Sequence, residues 1–345
     1  MRDDDLAFMK RALELAGRGA GLVSPNPMVG AVLVNEGEVV GEGFHRYDRL
    51  KHAESYAIAL AGDRARGATL YCTLEPCCHY GRTPPCTGAL IEAGISRAVI
   101  AMVDPDPRVN GSGIGQMRAA GIEVDVGLCE PEARRLNEFY LKRVTRGIPF
   151  VHALLVYEAG GAGGWKPSDS FLAKASEYDA IILGSEPSLN RLFAGNSLDR
   201  ERHRPLILAG DRATLDGLEL PEGARDSTIL ELWTCESDSA PPAETPGLSK
   251  AVGPESTSIL LWLARLQAAS VLVLPGGFSP RNSEDFEVVD KVTALTPSGS
   301  NGTEEDLDPV RLVGDLRLEG VNVERASGHS EISGYLRLTG SAREL

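Results

Sequence analysis

The chain has 345 residues, of which 42% are hydrophobic and 24% charged, the composition of a folded globular protein of about two domains. Acidic residues outnumber basic ones by 49 to 35, and this net charge of −14 argues against a dedicated nucleic-acid-binding protein, which needs a clustered positive face. No stretch reaches the roughly 18 consecutive apolar residues of a membrane helix. Three Asp residues near the start give it the wrong charge for a signal peptide. The sequence therefore predicts a soluble, cytoplasmic protein.

The first half predicts a helix, two strands and then alternating strands and helices. Residues 5–20 form an amphipathic pattern whose apolar face comprises Leu6, Met9, Leu13 and Ala16. The later elements are predicted as strands at 29–34 and 39–44, a helix at 52–65, a strand at 66–76, a helix from 86 to about 94, a strand at 98–103, a helix at 112–120, a strand at 122–128 and a helix at 130–146. This order is typical of a three-layer α/β/α sandwich.

The second half predicts a further α/β unit. Apolar runs predict strands at 150–156, 179–184, 205–210 and 270–277, a helix at 258–266 and a terminal strand. The stretches 235–250 and 296–308, rich in Pro, Ser, Gly and acidic residues, are predicted to be loops. We expect the boundary near Gly147, which gives domains at 1–146 and 147–345. Residues 1–145 carry a net charge of −2 and the remainder −12, so nearly all the acidity lies in the second half.

The strongest chemical signal is the sequence His52-Ala53-Glu54, followed by Glu75-Pro76-Cys77 and then Cys86. One imidazole nitrogen and two thiolates can bind zinc and leave a fourth position open for water, as a catalytic site requires. Zinc lowers the pKa of such a water to about 7. Glu54 is expected to be the catalytic proton carrier, because a His-x-Glu motif followed by Pro-Cys is the signature of the zinc deaminases.

Other interpretations of these residues remain open. With Cys78 as a fourth ligand, the cluster would be a structural zinc site, in an enzyme or in a zinc-stabilised binding module without catalytic activity. Eight residues separate Cys77 from Cys86, whereas two are usual in the signature, and a loop insertion accommodates the difference. A polynucleotide-editing deaminase is disfavoured, because a near-neutral first half and 6% aromatic residues do not supply a basic groove with stacking platforms.

The segments SPNPMVGAVLV, GEGFH, TLYCTLEPCCHYGRTPPC and VDPDPRVNGSGIGQMRAAGIEV carry a family resemblance. Over residues 3–146 the chain resembles the deaminase domain of the bifunctional RibD/RibG family of riboflavin biosynthesis. The resemblance implies a cytidine-deaminase-like fold and hydrolytic deamination of diaminohydroxyphosphoribosylaminopyrimidine. It implies that His52, Cys77 and Cys86 bind zinc and that Glu54 is catalytic. The substrate-binding residues that it implies are Asn26, His45, His79, Arg82 and Asp104.

The chain departs from the family pattern at two places in this half. Residues 48–51 stand where the family has Ala-Gly-x-Pro, and Asp106 replaces the Asn of an Asp-Pro-Asn-Pro motif. Neither change touches the zinc ligands or Glu54. Both border the arm of the substrate, so they bear on its specificity.

In the family, the second domain is a dihydrofolate-reductase-like fold that uses NADPH. Here Tyr157-Glu158-Ala159-Gly160 replaces a Ser-Leu-Asp-Gly motif, Pro275 replaces a Glu, and a Gly-x-Gly-Thr loop is missing after Gly184. We therefore predict a divergent domain that has lost reductase activity and NADPH binding and that supports a homodimer or higher homo-oligomer. The alternative is a bifunctional enzyme that also reduces 5-amino-6-(5-phosphoribosylamino)uracil with NADPH.

Overall fold

The computed structural model divides the chain into two compact units, with the first main segment ending at Gly147 and the second beginning at Ile148. The first unit is described over residues 4–46, 52–81 and 83–147. The second is described over 148–156, 175, 177–182, 206–210, 228–232, 260, 263–273, 289–297, 318–326 and 329–336. In this described part of the chain, no helix is both long and apolar enough to cross a membrane.

A five-stranded sheet forms the centre of the first unit. Its strands are β1 (Gly30–Asn35), β2 (Glu38–Phe44), β3 (Thr69–Cys72), β4 (Arg97–Ile100) and β5 (Glu123–Val126), in the spatial order β2-β1-β3-β4-β5. β1 runs antiparallel to both of its neighbours, and β3, β4 and β5 are parallel. The helices are α1 (Asp5–Gly17), α2 (Ala53–Ala61), α3 (Cys86–Ala93), α4 (Ser112–Ala119), α5 (Glu130–Leu136) and α6 (Glu138–Arg146).

Alternate strand residues build two separate cores on the two faces of this sheet. Ala31 and Leu33 belong to a core that also contains residues of α2, α3 and α4, including Leu90. Val32 and Val34 point the other way, into a core with residues of α1, α5 and α6. Because successive side chains of a strand face opposite sides, each apolar strand can bind a helical layer on both faces. The prediction of a three-layer α/β/α sandwich is confirmed.

The helix predicted over 130–146 is two helices, which meet at Asn137. The side-chain amide of Asn137 donates to the carbonyl oxygen of Met28 at 3.0 Å, and its Oδ1 accepts from the Met28 backbone N–H at 2.7 Å. Asn137 thereby hydrogen-bonds to the segment that leads into β1. Its backbone departs from helical geometry at φ −103° and ψ 20°, and the apolar pattern alone did not reveal this break.

The second unit contains an eight-stranded mixed sheet. The strands are β6 (Phe150–Val156), β7 (Ala180–Ile182), β8 (Leu206–Gly210), β9 (Thr228–Leu232), β10 (Ser270–Val273), β11 (Lys291–Pro297), β12 (Leu318–Ala326) and β13 (His329–Leu336). Their order is β12-β13-β11-β6-β10-β7-β8-β9, parallel from β11 to β9 and antiparallel at the β12–β13–β11 edge. The four predicted internal strands are present.

Several predictions for the second half were wrong in detail. The patterns missed β9 and β11, and the single terminal strand is a hairpin of β12 and β13. Residues 296 and 297, predicted as loop, end β11.

The predicted helix at 258–266 is helical at 260 and 263–265, which are its described residues other than 266. The predicted loops at 235–250 and 298–308 lie outside the described residues.

A buried ion-pair network fastens α1 to the sheet. The Arg97 guanidinium on β4 donates from Nη1 and Nη2 to the two carboxylate oxygens of Asp5, both at 2.8 Å, and from Nε to Asp125 at 3.1 Å. The hydroxyl of Tyr71 donates to Asp5 at 2.7 Å. Asp5 and Arg97 are both almost fully buried. Without the Asp5 carboxylate, the buried guanidinium would keep only its contacts with carboxylates nearer the surface, such as Asp125, and the loss of a buried partner costs more than the loss of a surface pair.

We therefore predict that Asp5→Asn lowers the free energy of unfolding by about 3 kcal/mol in chemical denaturation. The matched control is Glu14→Gln, which removes an exposed ion pair between Glu14 and Arg11 on the same helix and should cost less than about 1 kcal/mol. Equal losses in the two variants would contradict the assignment of the buried network as the anchor of α1.

Candidate metal centre and active site

Three predicted ligands, His52, Cys77 and Cys86, converge in the first unit. Their ligand atoms all lie within 4.8 Å of one another. The Nδ1 atom of His52 is 3.2 Å from Cys86 Sγ and 3.5 Å from Cys77 Sγ. A tetrahedral zinc ion with ordinary bond lengths separates a nitrogen and a sulfur ligand by about 3.6 Å. The spacing of the donor atoms therefore fits zinc.

Local secondary structure explains why the three ligands meet. His52 is the residue that precedes the first turn of α2, Cys86 is the first residue of α3, and Cys77 lies in the loop after β3. Pro85 precedes α3 in extended conformation and directs the chain into it. The Cys86 backbone N–H donates to Cys77 Sγ at 3.3 Å, so the start of this helix faces the second sulfur.

The electrostatics of the two cysteines also suit a metal. A hydrogen bond from the Cys86 thiol is the main cause that lowers the pKa of Cys77, which favours the thiolate form of this residue. The same bond, followed by burial, raises the pKa of Cys86. One imidazole and two sulfurs form the soft donor set that zinc prefers over magnesium or calcium.

Close packing of α2 on β2 places Glu54 beside this cluster. A Cβ added at Gly41 would lie 2.1 Å from the carbonyl oxygen of Ala57, and one at Gly43 would lie 2.2 Å from that of Ala53. Only glycine at these two positions lets the helix approach the strand so closely. Glu54, in the first turn of α2, is 3% exposed, and burial raises the pKa of its carboxyl group. A buried carboxyl group next to the metal ligands is suited to carry protons.

Asn26 and His45 lie on one side of the metal cluster. The side-chain nitrogen of Asn26 is 3.4 Å from Nε2 of His45, and the His45 ring packs edge-on against the ring of His52 with centroids 5.3 Å apart. His45 is buried at the end of β2, where its backbone N–H donates to Val29. The structure therefore brings these two predicted substrate residues next to a metal ligand.

Glu75 organises the other side of the site, a role that the sequence analysis missed. One carboxylate oxygen, Oε2, accepts from the backbone N–H groups of Asp104 at 3.2 Å and Gly111 at 2.9 Å. The other, Oε1, accepts from those of Gly113 at 2.9 Å and Ile114 at 3.1 Å. Glu75 is buried two residues before Cys77. The available signal was an acidic residue within the last two positions of the strand predicted at 66–76, directly before Pro76 and Cys77 of the motif.

Asp104 lies within the loop that Glu75 holds. Its Oδ1 accepts from the Tyr140 hydroxyl at 2.8 Å and from the Asp106 backbone N–H at 2.9 Å, and burial is the main cause that raises its pKa. Hydrogen bonds from Arg108 are the main cause that lowers the pKa of Asp106. His79 directly follows Cys78, whose thiol donates to the carbonyl oxygen of Arg108, so His79 lies close to this loop. Tyr140 was not predicted, because its partner is 36 positions away.

Other predicted positions lie outside the described residues. These are Arg82, residues 48–51, residues 157–160, Gly184 and Pro275. Their assignment to the substrate arm or to altered cofactor loops stays a prediction.

Comparison with known proteins agrees with this geometry. Residues 2–102 match the family model of the cytidine and deoxycytidylate deaminase zinc-binding region. The chain is 52% identical over 151 residues to the riboflavin biosynthesis protein RibD of Aquifex aeolicus, in a match that covers 44% of this chain and 42% of that protein. It is 39% identical over 281 residues to the chloroplastic riboflavin biosynthesis protein PYRD of Zea mays, covering 78% of this chain and 70% of that protein.

A solved structure extends the likeness to both units. It is the diaminohydroxyphosphoribosylaminopyrimidine deaminase/5-amino-6-(5-phosphoribosylamino)uracil reductase of Thermotoga maritima, with a TM-score of 0.74 and 30% identity over 96% of this chain and 99% of that one. With several bacterial relatives, in contrast, the matched sequence spans only about half of their length. The family model, at residues 2–102, lies within the unit that holds the metal cluster.

We predict that Cys86→Ser reduces bound zinc from about one ion per chain to less than about 0.2, since a serine hydroxyl is a poor replacement for a thiolate ligand. The measurement is metal analysis of the purified protein by mass spectrometry. Cys78→Ser is the control, because the Cys78 thiol donates to the Arg108 carbonyl oxygen at 3.7 Å and should not be needed for zinc. Loss of zinc in both variants would instead favour a four-ligand structural site.

Proposed function

The chain belongs to the RibD family of riboflavin biosynthesis proteins, and we propose that residues 1–146 form a zinc-dependent hydrolase that deaminates diaminohydroxyphosphoribosylaminopyrimidine. The observation that carries this proposal is the buried carboxyl group of Glu54 beside the cluster of His52, Cys77 and Cys86. A structural zinc site has no need for such a group, whereas a hydrolytic deaminase needs a proton carrier next to the metal.

The reaction replaces an exocyclic amino group of the pyrimidine by oxygen and releases ammonia. Zinc, when bound by the one nitrogen and two sulfurs, supplies a Lewis acid that makes water nucleophilic at neutral pH. Glu54 takes a proton from the attacking water and passes it to the ring nitrogen next to the reacting carbon. It then transfers the second proton of the water to the departing amine, and the carboxylate is restored at the end of the cycle.

The substrate would lie between the two sides of the site. On one side, Asn26 and His45 provide an amide and an imidazole that can bind the polar edge of the base. On the other side, His79 and Asp104 belong to the two loops that Glu75 joins. We assign Arg82 to the phosphoribosyl arm, because a phosphorylated substrate needs cations nearby.

We assign residues 147–345 to a divergent dihydrofolate-reductase-like domain that contributes to a homodimer or higher homo-oligomer in the cytoplasm. Its altered loop sequences support the loss of NADPH-dependent reduction. The specific observation in favour of the alternative, a bifunctional enzyme, is that the Thermotoga maritima neighbour matches 96% of this chain and is a deaminase/reductase by name.

We predict that Glu54→Gln lowers the kcat for ammonia release by about 100-fold or more, because glutamine cannot accept and return a proton. The assay follows ammonia released from diaminohydroxyphosphoribosylaminopyrimidine, with the zinc content measured on the same samples. Zinc should be retained, since the carboxylate is not a ligand. The matched control is Glu92→Gln, an exposed carboxylate on α3. Full activity of the Glu54 variant, or no ammonia release by the unaltered protein, would contradict the proposal.

For the second domain, we expect no consumption of NADPH when the full chain receives the deaminated product and NADPH together. The altered loops lack the glycine-rich sequence that brings backbone N–H groups to the cofactor's phosphates. The absorbance of NADPH is the readout, with ammonia release from the diamino substrate as the check that the same preparation is folded and active. Consumption of one NADPH per product would establish the bifunctional alternative.

A further inference from the structure

The departure at Asp106 from the family's asparagine comes with a second feature, an arginine two residues later. Asp106 accepts from the backbone N–H of Arg108 at 2.9 Å. The Arg108 side chain donates from Nε to both carboxylate oxygens of Asp106, at 3.0 and 3.1 Å, and its Nη2 donates to Oδ2. Asp106 is 7% exposed, whereas the side chain of Arg108 is 70% exposed.

This pair lies at the edge of the metal site. The carbonyl oxygen of Arg108 accepts from the thiol of Cys78 at 3.7 Å, and Cys78 directly follows the ligand Cys77. The Asp106 backbone N–H donates to Asp104, so the whole turn is held by the same loop that Glu75 binds. The hydrogen bond from Cys78 thus holds the Arg108 backbone next to the residue that follows the predicted ligand Cys77. Most of the Arg108 side chain is exposed to solvent.

The substitution changes which hydrogen-bonding groups this position offers. An asparagine amide can both donate and accept, but an ionised carboxylate only accepts. An uncompensated Asp106 would therefore remove a donor and add a negative charge, both unfavourable next to a phosphorylated substrate. The Arg108 guanidinium neutralises that charge and adds N–H groups of its own, since its contacts with Asp106 use only Nε and Nη2. Among the described residues no hydrogen bond uses its Nη1, which can donate to a ligand.

We propose that Arg108, oriented by Asp106, binds the phosphate group of the substrate in this chain. The inference rests on the proposed deaminase function and adds a specificity residue to it. A guanidinium is planar and matches the geometry of a phosphate, with which it forms charge-assisted hydrogen bonds. The bond to a buried carboxylate limits the rotamers of Arg108 before substrate arrives, so less side-chain entropy is lost on binding. Asp106 is a positioning residue in this arrangement.

The test compares the phosphorylated substrate with its dephosphorylated form. For Arg108→Gln we expect the KM of the phosphorylated substrate to rise by about tenfold, as expected for loss of a charge-assisted bond. The preference for the phosphorylated over the dephosphorylated substrate should fall by the same factor. Arg108→Lys should recover part of this preference, and Asp106→Ala should lower it by a smaller factor, because the guanidinium remains but is no longer oriented and alanine adds no amide donor of its own.

Arg64→Gln provides the matched control. Arg64 is also an exposed arginine, 58% accessible, in an ion pair with Glu38 at 2.7 Å. It precedes β3, whereas the metal site follows the other end of that strand. This variant should leave the preference for the phosphorylated substrate as it is in the unaltered protein.

Two results would overturn the assignment of Arg108. One is an equal rise in KM for both substrates, which would mean that Arg108 only shapes the loop, and the other is no change for either. If the unaltered protein releases ammonia from neither substrate, the deaminase function fails, and binding of ribose 5-phosphate measured by calorimetry then decides on Arg108 separately. Weaker binding by Arg108→Gln than by Arg64→Gln would support the phosphate site, and equal binding would refute it.

Discussion

The geometry of the site depends on one buried carboxylate, that of Glu75. It accepts hydrogen bonds from four backbone N–H groups, two in the loop after β4 and two at the start of α4. A loop buried against a sheet has to satisfy its N–H groups without water, and a charged acceptor does so more strongly than a neutral one. Because Glu75 lies two residues before Cys77, the metal loop and the loop of Asp104 are positioned by the same side chain.

Two glycines of β2 impose the second constraint, on how closely α2 packs against the sheet. At Gly41 and Gly43, the strand β2 has no side chains toward α2, and the helix backbone lies where Cβ atoms would be. This contact fixes the distance of α2 from the sheet and thereby the depth at which Glu54 lies. Two attachments, one by a carboxylate and one by direct backbone packing, therefore hold Glu54 and the cluster of His52, Cys77 and Cys86 in register. A site supported in this way needs little rearrangement before it reacts.

The sequence predicted the parts of this arrangement that depend on local pattern. The apolar alternation of β1 and the motif around His52 can be recognised because neighbouring residues carry the signal. Glu75 could not be assigned, since its partners are backbone groups up to 39 positions away, which have no side-chain signature. Asn137 was hidden in the same way by its bond to Met28. In the second unit four internal strands were predicted, but not their order: β10 lies between β6 and β7, and these pairings across long stretches of chain are not encoded in local periodicity.

The buried ion pair between Asp5 and Arg97 has a consequence for folding during synthesis. The partners are 92 positions apart, so α1 is synthesised well before β4. During synthesis Asp5 can meet the hydroxyl of Tyr71 before the guanidinium that neutralises its charge has been made. The ion pair that fastens α1 to the sheet therefore forms late, and the nascent chain must keep this amphipathic helix from other surfaces in the meantime.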